Sequence, residues 1–132
     1  PLNTDSTLKG QTVFLAERCG ELMYDNIITD RTILDVMAFT LNAKSIPHQD
    51  KDAFEVYASE FIREYDYIFY ISPHGIEIED NGIRETDEHY RDLIDFTITT
   101  LIKRHGHKAG KIEKISGSTE ERIQQILNIT SL

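Results

Sequence analysis

The chain has 132 residues, 39% of them hydrophobic and 28% charged, a composition typical of one folded globular domain rather than a disordered or fibrous protein. Its formal net charge of −9 argues against a broad nucleic-acid surface, which would need clustered Lys and Arg. No apolar run is long enough for a membrane helix, no signal-peptide pattern is present, and the single Cys19 allows no internal disulfide, so we expect a cytoplasmic protein.

The first predicted elements are a helix and a short strand. Residues 5–23 predict a helix because apolar side chains recur close to the helical period, and Asp5 or Ser6 is its expected cap. The apolar positions are Leu8, Leu15, Cys19 and Leu22. Residues 26–29 are too few for a helix and include two β-branched isoleucines, so they predict a strand.

Two further helices are predicted after this strand. Thr32 and Asp35 have the spacing of a capping box, in which each side chain bonds to a free backbone N–H, so residues 32–43 predict a helix. Pro47 ends that helix because it disfavours helical geometry in the residue before it. The polar residues 49–52 then begin another amphipathic helix, whose predicted apolar face is Phe54, Tyr57, Phe61 and Ile62.

The second half of the chain predicts two strands and two helices. Residues 67–71 are apolar at every position, which is typical of a parallel strand covered on both faces. Residues 86–104 predict a long amphipathic helix, and residues 111–116 a weaker strand at a sheet edge. A capping box at residues 118–121 begins the last helix, with an expected buried face of Ile123, Ile126 and Leu127.

Helices and strands alternate along the chain, which predicts a single α/β domain over residues 1–132 with a parallel sheet. Ligands of such sheets bind beyond the carboxyl ends of the strands, and Asp30 and Arg31 directly follow the first predicted strand. Aspartate can hold Mg²⁺, and arginine can bind a phosphate through two parallel hydrogen bonds. The alternative is structural, with Asp30 capping the next helix and Arg31 pairing with a surface acid.

Residues 73–85 form a polar loop with two alternative interpretations. Its alternating isoleucines and Asn-Gly pair are compatible with a surface hairpin. Its two glycines equally allow a mobile lid, from which Arg84 or Arg91 would reach a phosphate.

The segment Asp30-Arg31-Thr32-x-x-Asp35-x-x-Ala38-Phe39 resembles the element that ends the third strand of small-molecule P-loop kinases. These include thymidylate kinase, the deoxynucleoside kinases and the ribosylnicotinamide-kinase type of ATPase domain. EYDYIFYISP resembles their fourth strand and HGIEIEDNGIRETDEHYRD their arginine-bearing lid and its following helix. KIEKISGSTEERIQQIL resembles the fifth strand, the base-contacting loop and the last helix, so the resemblance covers nearly all of residues 2–130.

This resemblance implies a parallel three-layer α/β/α sheet of the P-loop nucleoside-triphosphate hydrolase type, with ATP and Mg²⁺ as cofactors. It implies that Asp30 lies near the metal and that Arg31 contacts the phosphoryl acceptor or its phosphate. Arg84, together with Arg91, would stabilise the transferring phosphoryl group. Gly117-Ser118 would flank the adenine, and the acceptor would be a small nucleoside, nucleotide or ribosylnicotinamide.

The chain departs from the family at its beginning, because the first strand, the phosphate loop ending Gly-Lys-Ser/Thr and the second strand are missing. We therefore expect the C-terminal part of a longer kinase domain, with an unfilled slot in the sheet. A non-catalytic α/β binding or interaction module that has lost the phosphate loop is the main alternative, followed by a receiver-like or flavodoxin-like domain. The acceptor and a homodimeric state stay open.

Overall fold

The computed structural model describes residues 5–73 and 88–131, and within these ranges the chain is mixed α/β with five α-helices and a two-stranded parallel sheet. None of the helices in this part of the chain has the length and apolar character needed to cross a bilayer. The elements in chain order are α1 (Leu8–Glu21), α2 (Ile33–Leu41), α3 (His48–Ser59), β1 (Tyr67–Ile71), α4 (Glu88–His105), β2 (Lys111–Ile115) and α5 (Thr119–Thr130).

The two strands of the sheet confirm the predictions for residues 67–71 and 111–116, with β2 ending one residue early. They run parallel, with Tyr67 opposite Lys111 and Ile71 opposite Ile115. Parallel neighbours need a long crossover, and α4 lies in the connection between them. Because the two strands pair residue by residue from first to last, they end side by side at one edge of the sheet. The segments that follow Ile71 and Ile115 begin at that edge.

The predicted strand at residues 26–29 is wrong, since this segment forms neither helix nor strand. Its Ile28 side chain is 90% exposed. A β-strand is stabilised by backbone hydrogen bonds to a neighbouring strand, and no described segment pairs with these residues. The second edge of β1 also has no strand beside it within the described residues.

Three burial predictions are also wrong. Residues 67–71 are not covered on both faces, because Tyr67 and Ile71 are each 40% exposed. On α5, Ile123 is 52% exposed and no residue of the helix is fully buried. Tyr57 of α3 points largely into solvent. In each case the side chain is apolar, but within the described ranges no element packs over it closely enough to bury it.

The hydrophobic core lies among the helices and one face of β1. Fully buried side chains from α2, α4 and the short 3₁₀ helix after α3 form its centre: Ile33, Met37, Ile62 and Leu101. The predicted apolar face of α1 packs against this core, which confirms that part of the prediction: Leu8, Leu15, Cys19 and Leu22.

The helix boundaries follow local capping chemistry. The capping boxes of Thr32 with Asp35 and of Ser118 with Glu121 are both present, as predicted. The cap of α1 is Thr7 rather than Asp5 or Ser6, with its hydroxyl accepting a hydrogen bond from the Gly10 N–H at 3.0 Å. Residues 86 and 87, the predicted beginning of α4, lie outside the described residues.

Polar side chains join neighbouring helices. Gln11 of α1 donates from Nε2 to the Thr40 hydroxyl of α2 at 2.9 Å, and both residues are buried. Between α3 and α4, the Glu55 carboxylate accepts hydrogen bonds from Arg104 at 2.9 Å and lies 2.8 Å from His105 Nε2. Burial alone would raise the pKa of the Glu55 carboxyl, but its bonds to His105 and Arg104 outweigh burial and lower that pKa.

Candidate functional site

Asp30 and Arg31 directly precede the N-terminus of α2. The cap of this helix is Thr32, whose hydroxyl accepts from the Leu34 N–H at 3.0 Å, while the Asp35 carboxylate accepts from the Thr32 N–H at 2.8 Å. Asp30 is exposed and does not cap the helix. Within the described residues neither Asp30 nor Arg31 has an ion-pair partner, so the structural alternative for this pair does not hold there.

The backbone of Arg31 has an unusual conformation. Its φ of 105° lies in the region that residues with a Cβ rarely adopt, at a cost of about 1–3 kcal/mol. Thr29 Oγ1 donates to the Arg31 carbonyl at 2.8 Å and helps to hold the turn. Strained backbone of this kind persists only where its surroundings maintain it, and such residues cluster at functional sites.

The Arg31 side chain extends over an aromatic ring of α2. Its Cζ lies 5.8 Å from the centroid of the Phe39 ring, within the range of a cation–π interaction. Phe39 in turn stacks on Tyr90 of α4, with ring centroids 6.5 Å apart and planes inclined by 25°. These contacts link Arg31 to the first turn of α4, where Arg91 follows Tyr90.

Arg91 lies near the beginning of α4, and its Nη2 is 3.6 Å from the Asp92 carboxylate. Its Nε is buried and has no hydrogen-bond partner within the described residues. Arg84, the other predicted lid arginine, lies outside the described residues, as do residues 74–85 of the predicted lid.

Tyr65 makes a hydrogen bond to the backbone at the N-terminus of α2. Its hydroxyl oxygen accepts a hydrogen bond from the buried Ile33 N–H at 3.1 Å. Burial raises the pKa of Tyr65 to about 12; the Ile33 N–H acts against this, and the charges of Glu21 and Asp35 add to it. The hydroxyl therefore satisfies a helix N–H that has no carbonyl partner within α2.

Replacing Tyr65 with phenylalanine is expected to cost about 1–3 kcal/mol at neutral pH, because the buried Ile33 N–H loses its acceptor. The folded chain binds the Tyr65 proton more tightly than the unfolded one does. The stabilisation that the Tyr65 proton gives to the folded chain is therefore fully present below the ordinary pKa of 10.0 and is lost as the pH rises towards about 12. Urea unfolding between pH 7 and 12 measures both effects.

The matched control for this experiment is Tyr57→Phe, since Tyr57 is exposed. That variant should unfold as the wild type does at neutral pH and keep its steep loss of stability above pH 10. Equal alkaline slopes for wild type and Tyr65→Phe would contradict the assignment.

The predicted adenine-flanking pair, Gly117-Ser118, follows the end of β2. Gly117 has φ of 98°, which favours glycine, and Ser118 caps α5. Gln125 accepts from the Ser116 N–H at 3.1 Å and donates to its carbonyl at 2.7 Å. Side chains of α5 thus fix this loop. Within the described residues no hydrogen bond or ion pair joins it to Asp30 or Arg31.

A hydrogen bond between side chains joins the end of β1 to α4. The Tyr70 hydroxyl donates a hydrogen bond to the Asp95 carboxylate of α4. Burial and this carboxylate raise the pKa of Tyr70 to about 12. The contact keeps α4 close to the edge of the sheet at which both strands end.

Several of these residues were not predicted from the sequence. Phe39 is part of the Asp-Arg segment, but its apolar side chain indicates packing, and only the fold shows that a guanidinium lies over it. Tyr65 and Tyr90 give no local signal of these contacts. The Tyr65 hydroxyl bonds to the backbone of Ile33, 32 positions earlier, and the Tyr90 ring stacks on Phe39 of another helix.

The described ranges contain no group of three His, Cys, Asp or Glu side chains able to hold a metal ion. Asp30 is a single exposed carboxylate, and no such group surrounds it within those ranges. Comparison with known proteins found no matching family model, curated protein or solved structure.

Proposed function

We propose that the chain provides the acceptor side of a P-loop kinase site, which transfers a phosphoryl group from ATP to a small nucleoside, nucleotide or ribosylnicotinamide. The observation on which this rests is Arg31, a strained residue with an exposed guanidinium that has no acidic partner within the described residues. An uncompensated arginine can clamp a phosphate through two parallel hydrogen bonds.

The surroundings of Arg31 support an anionic ligand. The residue directly precedes a helix N-terminus, where the helix dipole favours negative charge. The parallel pair β1–β2 with α4 in its connection agrees with a doubly wound sheet, of which the three-layer P-loop architecture is the proposed complete form.

In this proposal each site residue has one role. Asp30 would hold the Mg²⁺ that accompanies ATP, and that ion would supply neutralisation of the phosphate charge. Arg31 binds the acceptor or its phosphate, and the resemblance assigns Arg84 and Arg91 to stabilising the transferring phosphoryl group. Gly117-Ser118 borders the adenine. The proposal requires a phosphate loop from residues outside these 132, with catalysis consisting mainly of positioning and charge neutralisation.

The codons upstream of Pro1 provide the first test, because they should encode Gly-x-x-x-x-Gly-Lys followed by Ser or Thr. The protein from the full reading frame should bind Mg-ATP and release ADP with one class among nucleosides, nucleotides and ribosylnicotinamide. Arg31→Ala should lower kcat/KM for the acceptor about 100-fold, the scale of losing a charge-assisted hydrogen-bond pair to a ligand phosphate.

The matched control is Arg63→Ala, because Arg63 is an equally exposed arginine that pairs with Glu60 at 3.2 Å, beyond the end of α3. Its rate should equal that of the wild type. Absence of the upstream motif together with absence of Mg-ATP binding would replace the kinase proposal with a non-catalytic binding module. Equal rates for Arg31→Ala and the wild type would remove Arg31 from the site.

A further inference from the structure

We infer that Phe39 is a positioning residue for Arg31, holding its guanidinium so that the N–H edge faces an incoming phosphate; this rests on the proposed function of Arg31. The geometry on which the inference depends is the 5.8 Å separation between Arg31 Cζ and the Phe39 ring centroid. Phe39 would act through Arg31 and would not touch the ligand.

An aromatic ring beside a guanidinium leaves its function as a donor intact. All five N–H groups lie in the guanidinium plane, and a ring within cation–π distance restricts the motion of the group without offering it a strong acceptor. A phosphate can therefore approach in the plane and accept two parallel bonds. A free arginine would lose side-chain entropy on binding, whereas one held near an aromatic ring has already lost part of it.

The Phe39 ring is fixed in place by its own contacts. Phe39 lies within α2, is half-buried and stacks on Tyr90 of α4. At the other end of the residue, the Thr29 hydroxyl holds the Arg31 carbonyl at 2.8 Å. Backbone and side chain of Arg31 are thus fixed by separate contacts, and the side-chain contact depends on Phe39.

The test uses the protein from the full reading frame, with its phosphate loop saturated by a non-hydrolysable Mg-ATP analogue and inorganic pyrophosphate as the probe of the acceptor side. Calorimetry measures the affinity, and the ¹⁵Nε–¹Hε resonance of Arg31, assigned from Arg31→Lys, reports the ring above it. Phe39→Leu should weaken binding about two- to five-fold, because the released Arg31 side chain must then be ordered when the ligand binds. The Arg31 Hε resonance should move downfield as the ring current is lost.

Two variants control for packing. Phe39→Tyr keeps the aromatic face and should restore both the affinity and the resonance position. Phe54→Leu makes the same chemical change at a buried phenylalanine of α3 and should alter neither. Should Phe39→Leu fail to fold, Phe39→Met keeps more of the volume without the ring and takes its place.

The possible results separate the two claims. Loss of binding in Arg31→Ala with wild-type affinity in Phe39→Leu would overturn the inference and leave the proposed function standing. An unshifted Arg31 resonance in Phe39→Leu would also overturn it. Wild-type affinity in Arg31→Ala, or no binding by the wild type, would overturn the proposed function and the role of Phe39 with it.

Discussion

Replacing Leu101 with alanine is expected to lower the free energy of unfolding by about 2–5 kcal/mol, the range for truncating a large core side chain. Leu101 is a fully buried residue of α4 and belongs to the core that α1, α2 and β1 also line. The loss combines the transfer free energy of the removed atoms with the cost of the cavity that they leave.

The comparison variant is Leu93→Ala, two turns earlier on the same helix, where the leucine is 41% exposed. Its loss should stay below about 1 kcal/mol, since both wild-type and mutant side chains contact water. Urea denaturation followed by circular dichroism measures both. Similar losses at the two positions would mean that α4 does not bury Leu101 as described.

Replacing Gly110 with alanine is the second change with a large expected effect, a destabilisation of about 1–3 kcal/mol from overpacking. A Cβ at this position would lie 2.5 Å from the carbonyl oxygen of Asp66, and a backbone atom cannot rotate away as a side chain can. The Gly110 N–H also donates to the Tyr65 carbonyl at 2.9 Å, so a shift of the chain would strain the approach to both strands.

Gly20→Ala is the matched control for Gly110→Ala, and its effect should have the opposite sign. Gly20 lies in the last turn of α1, and apart from its chain neighbours and the backbone of its own helix no described atom comes within 4 Å of the point where an alanine methyl would lie. Alanine should therefore stabilise the helix by about 0.5 kcal/mol. Thermal unfolding of the two single variants and the wild type decides the matter. A neutral or stabilising Gly110→Ala would show that Asp66 and Gly110 are further apart.

Local signals in the sequence predicted the parts of the fold that depend on local physics. The capping boxes of Thr32 and Ser118 fix two helix starts because their partners lie three residues away. The run of consecutive apolar residues at Tyr67–Ile71 predicted β1, because that pattern too lies within a few neighbouring positions. The parallel pairing followed from the alternation of elements, which leaves a helix between the two strands.

The errors arose where a prediction needed a partner. Ile27 and Ile28 favour a strand, but a strand requires a neighbour, and none of the described residues supplies one. Ile123 of α5 has the spacing of a buried face, yet burial depends on what packs against it. Arg31 was singled out because it follows the predicted strand at residues 26–29, which the structure does not form. The Phe39 ring near its guanidinium depends on the three-dimensional path of the turn.

The open edge of β1 has a consequence for the handling of the isolated chain. From Tyr67 to Ile71 the strand contains no charge, no proline and no bulge, and these are the devices by which natural proteins keep sheet edges from pairing with other molecules. Within the described residues only one side of this strand is occupied. The net charge of −9 opposes contact between copies by repulsion, so salt, by screening that repulsion, should favour such contact.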